Sequence, residues 1–473
     1  MKPLLLLAVA LVAHPLSPTR ADTTRADTTP PAISPSRPES ASPPWPTAPL
    51  TRDQSLDLAL AWNPTLLKGR QDIEEAHGIS LQQRSAYLPR LGANGAYNQI
   101  DENKIESVAF DPSAPAVAFA NNQNWNANIV VSQPVFAGGK LRSAARSSRL
   151  TREAALANYQ TLVANTLLEV RIAYDDALLA AEQITVQEAS IKLLEQELAD
   201  TRRRFDAGTV PRFNVLRAEV ELANAKPRLI RARNALRIAR NNLAVLLGFN
   251  VPRETPQDIP LFTADSLVIT PVDVNLADSI GRALAQRPEL AALRTGEKLR
   301  SEEVIQARAD YYPQLSGNAG YGWQSRNFVR DITRDLNGWN VGAQLSWSIW
   351  DFGLTQGKVH AAKARQTRAR IDTDDNARRI ELEVRTAFSN LDEAREVLES
   401  QSKVIEQAEE AVRLSNARAE AGTGTQLDVL SSQTALTEAR TTYSVALRDY
   451  NVAKARLDRA TGEGVRLLRQ DKP

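Results

Sequence analysis

Two periodicities alternate along this chain. In one stretch Leu91, Ala93, Gly95 and Tyr97 share a parity opposite to Gly92, Asn94, Ala96 and Asn98, and in the next Trp125, Ala127, Ile129 and Val131 alternate with Asn126, Asn128 and Ser132. The pattern returns as Leu315, Ala319, Tyr321 and Trp323 against Gln314, Ser316, Asn318 and Gln324. It appears again as Trp339, Val341, Ala343, Leu345, Trp347 and Ile349 against Asn340, Gln344, Ser346 and Ser348. Period two with one apolar and one polar face predicts four strands. The longer segments keep a seven-residue beat: Val170, Ala177, Ile184, Ile191, Leu198 and Phe205, then Val384, Leu391, Leu398, Ile405, Val412 and Ala419. It resumes at Val215, Leu222, Leu229, Leu236 and Leu243, and at Val429, Leu436, Tyr443, Tyr450 and Leu457. Alanine rows (Ala218, Ala225, Ala232, Ala239; Ala439, Ala446, Ala453, Ala460) run beside these. A strict heptad imposes a left-handed supercoil, and alanine lets backbones approach closely. A helix from about Gly138 to Asp206 reaches roughly 100 Å at ~1.5 Å per residue. Gly208 and Gly422 then reverse the chain into antiparallel hairpins, because glycine accepts the positive φ of such a turn. Pro227 predicts a kink in its helix.

The pattern is written twice. Pro64, Pro89 and Tyr97 recur at Pro288, Pro313 and Tyr321 with one constant offset of 224. Trp125, Glu169-Val170-Arg171, Ala207-Gly208-Thr209 and Gly248 recur at Trp339, Glu383-Val384-Arg385, Ala421-Gly422-Thr423 and Gly462 with an offset of 214. The length change falls between Tyr97 and Trp125, which makes that stretch a loop. Each copy reads as helix, a break at Asn63-Pro64 or Arg287-Pro288, a second helix, two strands and two long helices. The boundaries expected are repeats over 51–248 and 275–464, a Pro-rich connector over 249–274 and a short tail over 465–473.

Ahead of the repeats, Lys2 followed by Leu4–Val12 and then Thr19-Arg20-Ala21 predicts an export signal over 1–21. Residues 22–50, rich in Pro, Ser and Thr, predict a flexible segment. No other run approaches the ~20 apolar residues of a membrane-spanning helix. The expected strands, however, have the length of tilted membrane strands. Five of the seven tryptophans (Trp125, Trp323, Trp339, Trp347, Trp350) lie in or beside them, where aromatic girdles form. An open sheet edge is not tolerated in hydrocarbon, so a chain with four such strands must assemble with further copies. Two, three or four chains all remain consistent with that argument.

Composition narrows the chemistry. The absence of cysteine removes disulfides, thiolate metal sites and a lipid-bearing N-terminal cysteine, and with only three histidines and one methionine no cofactor or metal is expected. The balance of 58 basic against 56 acidic side chains gives no electrostatic argument for nucleic acid. Gly353–Val359 is one residue short of a phosphate loop and lacks the Ser or Thr after Lys358. The run Arg228, Arg231, Arg233, Arg237 and Arg240 reads as a solvated or tunnel-lining helix face. No catalytic constellation is present, so an enzyme is not expected.

In its motifs the chain resembles the TolC-type outer-membrane efflux proteins. The residues that carry this are Ala59–Leu66 with Tyr87-Leu88-Pro89, their partners Ala283–Leu290 with Tyr312-Pro313, and Ala-Gly-Thr followed by Asn214-Val215-Leu216 or Asp428-Val429-Leu430. The resemblance implies a mixed, mainly α fold with a homotrimeric twelve-stranded barrel continued by a twelve-helix tunnel. It also implies location in the outer membrane of a Gram-negative bacterium, contact with outer-membrane lipid, and partnership with a periplasmic adaptor and an inner-membrane transporter. The function implied is passive conduction of efflux or type I secretion cargo. Ala207, Gly208, Thr209, Ala421, Gly422 and Thr423 match adaptor-contacting tips, and Asp428 matches a tunnel-entrance aspartate, with Asn214 and Ser431 beside it. The best-known member carries a second aspartate where this chain has Ser431, and a gate tyrosine and arginine where it has Ala419 and Gly424. The competing reading is a soluble periplasmic coiled-coil scaffold or adaptor.

Overall fold

The computed structural model describes residues 42–108, 117–118, 122–250, 258–325 and 336–463. The expected leader (1–21), the first part of the Pro-rich segment, residues 251–257 of the connector and the tail (465–473) lie outside the described residues. In chain order the elements are α1 (Arg52–Trp62), α2 (Pro64–Ser85), β1 (Arg90–Gln99), β2 (Ser107–Val108), β3 (Val117–Ala118), β4 (Gln123–Ala137), α3 (Lys140–Asp206) and α4 (Arg212–Leu246). They continue with α5 (Leu276–Gln286), α6 (Pro288–Ala309), β5 (Gln314–Ser325), β6 (Leu336–Ser346), α7 (Leu354–Glu420) and α8 (Gln426–Thr461).

Local chemistry sets the helix boundaries. Thr51 and Gln54 form a capping box at α1, and the Asn63 side chain accepts from the backbone N–H groups of Thr65 (2.8 Å) and Leu66 (3.3 Å), so α2 restarts at Pro64. Asn275 caps α5 in the same way. Helices α3 and α7 each run 67 residues, about 100 Å at ~1.5 Å per residue. Helix α4 continues through Pro227 without ending.

The long helices lie side by side. Below the break, α4 packs on α3, α3 on α8 and α8 on α7; above it the neighbours run α2, α3, α6 and α7. Two cores hold the break in place. One gathers Leu66, Val163, Val170, Tyr174, Leu243 and Leu247; the other gathers Leu290, Ile380, Val384, Tyr450 and Leu457. The segment expected to be flexible up to residue 50 is packed over its last residues. Trp45 stacks on Phe249 at 4.6 Å, and Leu50 is buried and bridges to Thr263, because the described part of the connector offers its backbone the Phe262 carbonyl and the Ala264 N–H, both at 2.8 Å.

Strands β1, β4, β5 and β6 form one antiparallel sheet in that order. The register aligns side chains of one kind across all four strands: Leu91, Val131, Ala319 and Val341 in one row, and Ala93, Ile129, Tyr321 and Trp339 in the next. Intervening rows carry Asn94, Asn128, Gly322 and Gly338, or Gly92, Val130, Gly320 and Asn340. On this second face asparagines lie over glycines: a Cβ on Gly322 would sit 1.9 Å from Asn128 Oδ1, and one on Gly320 would sit 2.9 Å from Asn340 Oδ1. Strand β4, at 15 residues, exceeds the expected length, because a bulge leaves Val135 unpaired between Pro134 and Phe136. The bulge accommodates a proline in a central strand and returns Phe136 to the apolar row opposite Leu315. Among the described residues, β1 and β6 each have a partner on one side only.

Candidate functional site

At the far end of the long helices from the sheet, two tips stand next to each other. Ala207 closes α3 with its N–H on the Arg203 carbonyl at 3.0 Å. Gly208 follows with φ +75°, and the Thr209 N–H reaches back to the Arg204 carbonyl at 2.9 Å. The second tip repeats this, with the Ala421 N–H on Ala417 at 3.0 Å, Gly422 at φ +71° and the Thr423 N–H on Arg418 at 2.9 Å. Nothing lies within 4 Å of a Cβ built on either glycine, so backbone handedness alone selects the residue and both turns stay open to a partner.

The helices leaving the tips begin differently. Helix α4 starts after Pro211 without a side-chain cap, whereas α8 starts with a capping box. In that box the Thr425 N–H (2.9 Å) and hydroxyl (2.8 Å) donate to the Asp428 carboxylate, and the Asp428 N–H donates to Thr425 Oγ1 at 3.2 Å. The Thr425 backbone and hydroxyl donors, with Arg418 nearby, hold the Asp428 carboxyl below its usual range. Asp428 is exposed, and Ser431 sits one turn on with its hydroxyl on the Asp428 carbonyl at 3.0 Å.

Between the tips runs an open polar groove of about 850 Å³. It brings together Thr209, Asn214, Gly422 and the two departures, Ala419 and Gly424, while Ala207, Gly208, Ala421, Thr423, Asp428 and Ser431 lie outside its lining. Sequence reasoning missed the residues that tie its walls together. Gln426 Nε2 donates to Thr201 Oγ1 at 2.7 Å, Thr201 donates to Glu197, and Glu197, Asp200, Arg204 and Arg217 supply charge. No sequence signal marked them: Thr201 falls between Leu198 and Phe205 of the apolar beat, and only the fold shows it buried. Among the described residues no group of His, Asp and Glu is placed to hold a metal ion.

The family model described as outer membrane efflux protein matches residues 55–249 and 279–463. The chain belongs to the outer membrane efflux protein family. Its two matched blocks fall on the two helix–strand–helix series, and membership makes it an outer-membrane exit duct with a long periplasmic part, in a family of channel proteins. Among curated relatives, the alkaline protease secretion protein AprF of Pseudomonas aeruginosa is 27% identical over 407 residues, covering 85% of this chain and 82% of AprF. TolC of Escherichia coli is 23% identical over 85% of this chain and 80% of TolC. The cobalt-zinc-cadmium resistance protein CzcC of Cupriavidus metallidurans is 24% identical over 88% and 90%. Among solved structures, the outer-membrane channel OprN superposes with a TM-score of 0.73 at 20% identity, covering 87% of this chain and 89% of OprN; CusC gives 0.73 at 16%, covering 87% and 92%. Relatives of this kind serve as outer-membrane components of efflux and secretion systems.

Proposed function

We propose that three copies of this chain close into a ring, with twelve strands forming a barrel through the outer membrane and the long helices forming a tunnel below it. The sheet carries this reading. One face is mainly apolar, with Trp339, Val341 and Leu345 each about two-thirds exposed or more (77%, 71% and 66%), and the other is mainly Asn, Gln, Ser and Gly. Such a sheet suits lipid on one side and water on the other, with both edges to be closed by neighbours. Among the described residues no helix is long and apolar enough to cross a membrane, so a spanning role would fall to the strands. The arrangement supports passive conduction driven by an inner-membrane transporter, reached through an adaptor whose helices dock on Ala207-Gly208-Thr209, on Ala421-Gly422-Thr423 and in the groove between them. Asp428, three to a ring, would place carboxylates at the entrance and favour cations; with Asn214, Ala419, Gly424 and Ser431 at the matching positions, the closed state would lack the tyrosine and arginine ties of the best-known member.

Light scattering coupled to size exclusion on detergent-extracted protein tests the ring: a trimer is expected, and a monomer soluble without detergent overturns it. Lys substitutions at Gly208 and Gly422 test the tips, with loss of export and retained assembly expected. Unchanged export in a sensitised strain would remove the tips from adaptor contact. Asp428→Asn is expected to weaken the cation preference of the reconstituted pore; an unchanged reversal potential removes Asp428 from the entrance.

A further inference from the structure

The array of long helices below the break ends in α4 on one side and α7 on the other, and the two free helices carry opposite charge. From Lys226 to Arg240, α4 holds Lys226, Arg228, Arg231, Arg233, Arg237 and Arg240 and no acid. From Asp392 to Glu410, α7 holds Asp392, Glu393, Glu396, Glu399, Glu406, Glu409 and Glu410 against Arg395 and Lys403. On α4, Arg233 pairs with Glu188 of α3, Arg237 with Asp258, and Arg240 lies over the Phe262 ring, while Lys226, Arg228 and Arg231 are exposed and have no ion pair among the described residues. On α7, Asp392, Glu399 and Glu410 pair with Arg395, Lys403 and Arg413 of the same helix. Glu393, Glu396 and Glu406 are exposed and have no ion pair among the described residues.

The two patches also stand at one height. A walk across the array passes from Arg233 on α4 to Glu188 on α3 (2.8 Å), from Ser190 on α3 to Thr437 on α8 (3.1 Å), and from Arg440 on α8 to Glu409 on α7 (2.9 Å). Rotation about a ring axis preserves height along it, so in a ring whose axis runs along the long helices the α4 patch of one copy arrives level with the Glu406–Glu410 turn of the next. Each free helix also exposes apolar side chains near these charges: Leu216, Val220, Ile230, Ile238 and Val245 on α4, and Val397, Val404 and Leu414 on α7. An apolar stripe flanked by charge is how coiled-coil neighbours choose partner and orientation.

We propose that these two surfaces form an electrostatically keyed seam between copies of this chain, with Arg228 and Arg231 of α4 facing Glu406 and Glu410 of the next copy's α7. Like edges repel, so the key selects head-to-tail closure and rejects α4–α4 or α7–α7 pairing. The proposal rests on the ring reading above and specifies how the ring is held.

The test is a charge swap in the full-length chain, with assembly measured by light scattering in detergent and helix content by circular dichroism. The double reversal Arg228→Glu, Arg231→Glu is expected to lower the assembled fraction roughly tenfold at low salt while leaving helix content unchanged, and Glu406→Arg, Glu410→Arg to do the same. Combining all four changes in one chain restores assembly, whereas mixing the two doubly reversed chains restores only part of it, because a ring of three keeps at least one seam between like chains. Assembly equal to the unmodified protein in either double variant overturns the seam, as does a four-fold variant no better than its parents. If the unmodified protein is itself monomeric, the ring reading fails instead.

Discussion

In the first half of the chain the break between the two short helices is held by Asn63, which caps α2 and donates from Nδ2 to the Leu246 carbonyl at 2.7 Å. The second half puts Arg287 at the corresponding place. It is 4% exposed, α6 starts without a side-chain cap, and the guanidinium meets Glu383 at 2.6 Å and Glu289 at 3.0 Å. Arg459 bridges the same two carboxylates from α8 at 2.6 and 2.7 Å and reaches Asn165 of α3 at 2.9 Å. One half is fixed by a local cap and a hydrogen bond. The other is fixed by a four-member ion network that joins α6, α7 and α8 and touches the first half. A duplicated backbone therefore does not preserve the chemistry that stabilises it; what persists is the geometric requirement that the chain break and restart at a proline.

Removing each half's fastening should separate the two halves most. Arg287→Ala strands Glu289 and Glu383 with one guanidinium between them and is expected to cost about 3 kcal/mol, whereas Asn63→Ala costs about 1 kcal/mol; urea midpoints in detergent measure both. Equal losses would show that the network adds nothing beyond a cap.

A smaller contrast concerns the glycines that end α4 and α8. Gly248 has φ +79°, and a Cβ there would sit 2.4 Å from the Trp62 carbonyl oxygen. Gly462 has φ +84° but 3.4 Å of room against Gln286. Gly462→Ala is expected to cost roughly 1–2 kcal/mol for handedness alone, and Gly248→Ala measurably more, as a larger drop in the unfolding midpoint.

The smallest effect separates the tips. Thr425→Ala removes the capping box and is expected to cost about 1 kcal/mol, seen as faster hydrogen exchange over the first turn of α8, with exchange at Asn214–Leu216 of α4 unchanged. The pH dependence follows from the lowered Asp428 carboxyl. A depressed folded value contributes stability that is present above the unfolded value of about 4 and is lost as pH falls through the folded one, so protection of this turn should hold at neutral pH and fade only in strong acid.

Much of this was legible in the chain alone. Period two at Trp339–Leu345 and period seven at Val384–Val412 are consequences of backbone geometry, and the repeated Ala-Gly-Thr turns needed only the rule that glycine takes a left-handed turn. Asn63-Pro64 announced its break because cap and proline act within three residues. The groove ties between Gln426 and Thr201 were hidden: they join residues 225 positions apart, and no local rule links a polar side chain on α3 to the first turn of α8. The packing of Trp45 on Phe249 was missed for the same reason, since composition describes a segment without its partner.

The elements, their duplication and the two faces of the strands are readable along the chain, because each depends on neighbours within a turn or a pleat. The tertiary structure decided which helices end the array, that a bulge at Val135 carries Phe136 back to the apolar face, and that the basic stretch of α4 stands level with the acidic stretch of α7. Height and adjacency are properties of packing across the helices, and charge written along one helix acquires a partner only when that packing places it at an edge.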